Sequence, residues 1–279
     1  MKKVLVIFLC LVLISIFFAN GGEEMGQSEW KLVWSEEFNG DKLNTEVWKF
    51  DIGNGHSRWN PGWGNAELQY YTEGKNMYLE NGYLVIEARK EKIRDSYGEY
   101  YYTSTRINTE GKFKIKYGKI EVRAKFPYGK GLWPAVWLLG TNYRYVGWPM
   151  CGEIDIVEFL GHDKYTVYGT IHGPGYSKDK AKSWKYRLKI EEPDFTKEFH
   201  RFGVIWDKEK ISFYVDDTVY YTVTKKAILS QGYPWVFDNY FFIIVNLAVG
   251  GYWPGYPDNT TKFPAKMYVD YIRIWQKNE

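Results

Sequence analysis

Lys119-Ile120-Glu121-Val122-Arg123-Ala124-Lys125-Phe126 alternates charged and apolar side chains without a break. Successive side chains of a β-strand point to opposite faces, so a period of two reads as a strand with one face buried and one face wet. A hairpin follows the same logic: Lys210-Ile211-Ser212-Phe213-Tyr214-Val215 runs into the acidic turn Asp216-Asp217 and leaves as Thr218-Val219-Tyr220-Tyr221-Thr222-Val223. Further strands are predicted at Tyr83 to Arg89, Trp133 to Leu139, Glu153 to Phe159, Tyr165 to His172, Phe199 to Trp206, Tyr240 to Leu247 and Lys266 to Trp275. No stretch of similar length carries a 3.6-residue stripe, and Gly, Asn, Asp and Pro recur between the runs without a linker or repeat. Strands at this spacing without intervening helices predict an all-β fold, two antiparallel sheets packed face to face as a sandwich or jelly roll. Residues 28–279 are read as one such domain.

Aromatic residues make up 19% of the 279-residue chain, with 13 Trp and 25 Tyr, far above ordinary usage, which excludes intrinsic disorder as a description of the whole. The formal net charge is only +3, and Lys2 and Lys3 supply two of the surplus cations, so nothing demands nucleic acid or an anionic membrane as partner. Those two lysines precede an uncharged run of 16 residues, Val4 to Ala19, and then a polar stretch. This is the layout of an export signal, and the run is short of the roughly 20 residues that span a bilayer. Residues 1–20 are therefore expected to be a cleaved signal, with the mature protein secreted or periplasmic. Cys10 lies inside that segment, so the mature chain retains Cys151 alone and has no intramolecular disulfide. No His has an obvious local pairing with Cys151, which reads as a small buried hydrophobe and not a nucleophile.

The chemistry concentrates in Pro149-Met150-Cys151-Gly152-Glu153-Ile154-Asp155-Ile156-Val157-Glu158-Phe159. On a regular strand Glu153 and Asp155 share a face and Glu158 points the other way. One extra residue accommodated at Ile156-Val157 by a β-bulge brings all three carboxylates to one face. Four strand steps then separate the outer backbones by about 13 Å. Two glutamates reaching toward each other leave roughly 5 Å, the separation expected when one carboxylate attacks an anomeric carbon and the other protonates the leaving oxygen. Asp155 between them raises its neighbours' proton affinity and can hydrogen-bond to the attacking group. Three carboxylates can also hold Ca²⁺, although such sites are usually loops that offer carbonyls, and a β-branched strand is a poor one.

This segment, together with Tyr117-Gly118-Lys119-Ile120-Glu121-Val122-Arg123-Ala124-Lys125 and Gly131-Leu132-Trp133-Pro134-Ala135-Val136-Trp137-Leu138-Leu139, resembles glycoside hydrolase family 16 and, within it, the bacterial laminarinases, which are endo-β-1,3-glucanases. Leu32 to Phe38, Asn65 to Thr72, Phe199 to Trp206, Asn246 to Gly251 with Trp253-Pro254-Gly255, and Val269 to Trp275 continue the series in family order. The resemblance implies a β-jelly roll of two curved antiparallel sheets whose concave face is an open polysaccharide cleft. It also implies Glu153 as nucleophile, Glu158 as general acid and then base, and Asp155 as the assisting carboxylate; spacing alone does not say which Glu attacks. Two residues between Asp155 and Glu158 match laminarinases, agarases and carrageenases, whereas the family's lichenases and xyloglucan enzymes have one.

A neutral β-glucan partner suits the aromatic surplus, because sugar faces stack on indole and phenol rings. Trp133, Trp137 and Trp253 are expected to line the cleft, Trp148, Trp59 and Trp63 to form outer subsites, and Trp34, Trp206 and Trp275 to be core. By family match Asn60, Glu67, Arg106, His172 and Asn246 are candidates for contact with sugar hydroxyls or the catalytic carboxylates. No cofactor is expected for catalysis. A structural Ca²⁺ on the convex side is implied at Glu37, Gly82 through its carbonyl, and Asp270. A monomer is expected. Two other readings stand beside the glucanase: the same fold acting on mixed-linkage glucan or a galactan, and a non-catalytic β-glucan-binding protein, which would lack the catalytic glutamates that this sequence keeps.

Overall fold

The computed structural model describes residues 30–188 and 194–278; the expected export segment, Cys10 included, lies outside the described residues. Two antiparallel sheets carry the fold. One runs Thr218–Thr224, Lys210–Val215, His200–Trp206, Gly118–Lys125, Ala265–Lys277, Tyr83–Ala88, Met77–Glu80, with Trp30–Glu36 also paired to Ala265–Lys277. The other runs Lys182–Arg187, Thr166–His172, Glu153–Phe159, Leu132–Gly140, Phe241–Val249, Arg106–Asn108, Lys49–Asp51. Each predicted strand is present, with ends moved by a residue or two.

Between the sheets lies one apolar core. Ile120, Val122 and Ala124 from the first sheet meet Val136, Leu138, Ile154, Phe159, Ile243 and Val245 from the second, all essentially inaccessible to water. Alternation therefore positions the opposite faces outward: the first sheet shows Lys119, Arg123 and Lys125, and the second shows the carboxylates of Glu153–Phe159.

The outer face of the first sheet is less wet than its charge pattern predicts. Glu121 is buried, accepting hydrogen bonds from Tyr271 (2.8 Å) on the adjacent strand and from Tyr214 (2.9 Å) on Lys210–Val215, which reaches across Gly203 of the strand between. Its cationic neighbours lie over rings: Lys119 Nζ is 4.9 Å from the Trp275 ring centre, and Lys125 Nζ 4.9 Å from that of Tyr268. Trp275 thus belongs to this outer layer and not to the core, because its position in Ala265–Lys277 has outward parity. Trp206 is core as expected, and Trp34 packs against the core edge with its ring 4.5 Å from Phe113.

Candidate active site

The strand Glu153–Phe159 starts after Gly152, whose φ of +78° suits glycine, and a Cβ there would meet the Phe241 ring at 3.0 Å and Val236 at 3.1 Å. Against Thr166–His172, Asp155 pairs with Thr170 and Glu158 with Tyr168, so two residues, Ile156 and Val157, oppose the single Gly169. The same irregularity shows against Leu132–Gly140, where Val136 pairs with Val157 and Trp137 with Asp155. This is the β-bulge at Ile156-Val157. Both of those apolar side chains enter the core while Glu153, Asp155 and Glu158 share the outer face, so apolar burial itself sets the bulge.

Glu153 is the acceptor on which donors converge. The Trp148 indole N–H donates to its Oε2 at 2.9 Å, and His172 Nε2 lies 3.5 Å from its Oε1 and 3.2 Å from Asp155 Oδ2. Among the described residues, Glu153, Asp155 and His172 each offer an atom within 4.8 Å of the others, the spacing a small cation needs. His172 Nδ1 accepts the Lys178 backbone N–H at 3.3 Å, so the ring carries a hydrogen on Nε2, the nitrogen nearest the two carboxylates. Burial, then the charge of Glu153 and a hydrogen bond to it, push the Asp155 carboxyl well above its ordinary range.

Glu158 is buried and held at both oxygens. Trp133 donates to Oε1 and the Thr170 hydroxyl to Oε2, each at 3.2 Å. Burial first, then Asp155, raise its carboxyl well above the usual range; His172 and the Thr170 hydrogen bond oppose the shift. The Trp253 ring stands edge-on to Trp133 (5.5 Å) and to Tyr168 (4.9 Å), completing an aromatic wall beside this carboxyl.

The next strands form the floor. Asp51, Arg106, Asn246, Ala135, Glu158 and Tyr168 lie in one row of cross-strand partners. Arg106 pairs with Asp51 (2.9 Å) and lies between the rings of Trp63 (4.5 Å) and Trp137 (4.7 Å). Trp137 donates to Asn246 (2.7 Å), Asn246 to the Tyr71 hydroxyl (3.2 Å), and Tyr71 to Glu67 (3.4 Å). Glu67 is buried, and burial pushes its carboxyl up despite hydrogen bonds from Asn65 and Gln69.

Sequence reasoning therefore located Trp133, Trp137, Trp148, Trp253, Arg106, His172 and Asn246 on one surface with the carboxylates. Glu67 belongs to the buried support beneath it. Trp63 is a floor residue under Arg106, not an open subsite, whereas Trp59 is 96% exposed. Asn60 is exposed on the same loop with its side-chain oxygen against Gly64. Thr170, Tyr71, Asp51 and Tyr168 were missed. Thr170 shares parity with His172, a usable signal once the strand is known to neighbour Glu153–Phe159; Tyr71 and Asp51 have none, because their partners come from remote strands. Cys151 is fully buried and its thiol is pushed up to about 12 by burial and by Glu153, which excludes an activated thiolate.

At the implied calcium positions, Glu37 forms a two-point ion pair with Arg273 (2.9 and 2.8 Å), and Asp270 pairs with Arg123. Gly82 follows Asn81 in the turn between Met77–Glu80 and Tyr83–Ala88. Both carboxylates thus already carry guanidinium partners with which a cation would have to share them.

Residues 57–273 match the family model described as glycosyl hydrolases family 16. Over 278 residues the chain is 37% identical to a β-glucanase of Rhodothermus marinus, covering 96% of this chain and 93% of that one. The laminarinase catalytic domain of Thermotoga maritima, solved in complex with cetyltrimethylammonium bromide, superposes with a TM-score of 0.88 at 56% identity, over 90% of this chain and 99% of that one. The endo-β-1,3-glucanase of Pyrococcus furiosus gives the same TM-score of 0.88 and 56% identity, over 90% and 95%.

Proposed function

This chain belongs to glycosyl hydrolases family 16, and from that premise we propose how it works as an endo-β-1,3-glucanase of jelly-roll fold. A glucan chain crosses the outer face of the sheet that carries Glu153–Phe159, stacking on Trp133, Trp137, Trp253 and the exposed ring of Trp148. Glu158 passes its proton to the glycosidic oxygen as Glu153 attacks the anomeric carbon; the glycosidic C–O bond breaks and a glycosyl ester on Glu153 forms. Water then attacks that carbon while Glu158 takes its proton, and the ester bond to Glu153 breaks. Two inversions give net retention.

The electrostatics follow the cycle. Burial and the neighbouring carboxylates keep Glu158 protonated until the leaving oxygen accepts the proton. Once Glu153 is esterified its charge is gone, one cause of the raised proton affinity of Glu158 disappears, and the group is free to serve as base. Asp155, donating to Glu153, steadies the carboxylate that is the leaving group of the second step.

The observation that supports this reading most is the one-residue bulge placing Glu153 and Glu158 on one face, each hydrogen-bonded by an indole. It is tested by following the products of laminarin and curdlan in time and by proton NMR of the first-formed reducing ends. Mixed-length oligosaccharides appearing first as the β-anomer are expected. Cleavage of agar or carrageenan with no reducing ends from laminarin would overturn the substrate; α-anomer first would overturn retention. Export is part of the same proposal, carried by residues 1–20 alone and checked by the N-terminal mass of protein from the culture medium. So is a monomer in solution, checked by light scattering.

A further inference from the structure

The acid/base assignment leaves unexplained why Glu158 is hydrogen-bonded by two different kinds of donor. At Oε1 the partner is the Trp133 indole, which can only donate. At Oε2 it is the Thr170 hydroxyl, which can donate or accept, and Thr170 Oγ1 lies 2.9 Å from Ser183 Oγ on the edge strand Lys182–Arg187. Thr170 is buried and Ser183 is exposed, so the two hydroxyls form a line from the buried carboxyl to solvent at the sheet edge. Register places them deliberately: Asp155 pairs with Thr170 and Thr170 with Ser183, one row of the sheet continued to its edge.

Resting on Glu158 as the acid/base, we propose that Thr170 and Ser183 are positioning residues, a reversible hydroxyl clamp that keeps Oε2 hydrogen-bonded in both protonation states. With Glu158 ionised, Ser183 donates to Thr170 and Thr170 donates to Oε2. With Glu158 protonated and no sugar bound, the carboxyl hydrogen sits on Oε2, because Oε1 accepts from Trp133, and the line reverses: Oε2–H to Thr170, Thr170 to Ser183, Ser183 to water; when a glucan binds, the O–H turns about its C–O bond toward the glycosidic oxygen and Thr170 donates to Oε2 again. No bond to carbon changes, and each hydroxyl keeps one hydrogen. The carboxyl plane is thereby held in one orientation while its charge changes twice per turnover, which a donor fixed in direction could not do.

The two states are not held equally. A hydrogen bond to a carboxylate is stronger than one from a neutral carboxyl, so the clamp favours the ionised form on balance and offsets part of the effect of burial. The other groups that face Glu158 are Asp155 and Glu153 on its own strand, His172 and Tyr168 on the next, Tyr220 from the opposite sheet, and exposed Lys185 opposite Tyr168; none of these is altered by changing the hydroxyls.

The test is the pH profile of kcat/KM on laminarin for Thr170→Val, Thr170→Ser, Ser183→Ala and Glu158→Gln. Valine keeps the β-branched shape that the strand position accepts. The clamp predicts that Thr170→Val moves the alkaline limb, where the acid loses its proton, upward by roughly half to one pH unit. Thr170→Ser should return the limb to its wild-type position, and Ser183→Ala should move it upward by less. A Thr170→Val profile that superimposes on wild type, or one lowered equally at every pH and not restored by serine, overturns the clamp. Glu158→Gln separates the two levels: if it retains near-normal activity the acid/base assignment fails, and if it is inactive while Thr170→Val leaves the limb in place, only the clamp fails.

Discussion

Glu153 and Glu158 differ by environment and not by type. Glu153 receives Trp148, His172 and Asp155 at the mouth of the site; Glu158 is buried between Trp133 and Thr170. Glu153→Gln and Glu158→Gln should each lower kcat on laminarin by at least ~10³-fold with the fold intact, because each removes a group that acts only as the barrier is crossed. Circular dichroism with initial rates checks this, and near-normal turnover in either variant would refute its role. The burial that activates Glu158 also weakens the protein. Its folded pKa is raised above the unfolded value, so the folded state binds the proton more tightly, and the associated stability is present at low pH and lost as pH rises through the folded pKa. Glu158→Gln has no such loss, and at pH ~7 it should melt ~2–4 °C above wild type, a difference that shrinks toward pH ~4. Calorimetry at the two pH values decides it.

Elements bring these residues together through remote pairings. Glu110, just after Arg106–Asn108, binds Lys49 on the edge strand (2.7 Å) and Arg144 on the short helix Tyr143–Val146 (2.6 and 2.9 Å), the helix that opens the loop carrying Trp148. Burial alone would raise the Glu110 carboxyl, but the hydrogen bonds from Arg144 and Lys49 bring it down to about 2 from 4.5. A depressed carboxylate contributes stability that is complete above the unfolded pKa and is lost as pH falls from about 4.5 through about 2. Glu110→Gln should therefore be less stable than wild type at neutral pH and converge with it in that acid window. Parallel denaturant melts would show a constant difference at all pH values if Glu110 had no such role. The bulge is legible at this scale too: a two-residue gap between Asp155 and Glu158 with two β-branched residues in it leaves both of those facing the core.

At the scale of the molecule the two outer faces do different work. One carries the carboxylates, Arg106 and an aromatic wall; the other is a mat of rings and cations in which Arg273 stands 3.8 Å above Tyr271 and Glu121 lies buried between two tyrosines. Glu37 and Asp270 belong to this second face, so calcium, where we propose it binds, acts on stability and not on the reaction. Excess calcium added to chelator-treated protein should raise Tm and leave the rate on laminarin unchanged at temperatures where both forms are folded. An unchanged Tm removes the calcium proposal, and a rate that requires calcium contradicts a metal-free mechanism.

What the sequence by itself determined was whatever depends on neighbours along the chain. The period of two in Lys119–Phe126, the acidic hairpin turn at Asp216-Asp217 and the Glu-x-Asp-x-x-Glu spacing are local, and they suffice for an all-β sandwich with three carboxylates on one face. Tertiary structure alone decided what depends on neighbours across strands. Asp51, Arg106 and Asn246 meet because three strands remote in sequence align in register. Glu121 is buried although its alternation reads as solvent-facing, since Tyr214 and Tyr271 close over it. Thr170 reaches Glu158, and Ser183 reaches Thr170, because antiparallel pairing turns residues with no local pattern into one row. Alternation tells each side chain which face it takes; only register tells it whom it meets there.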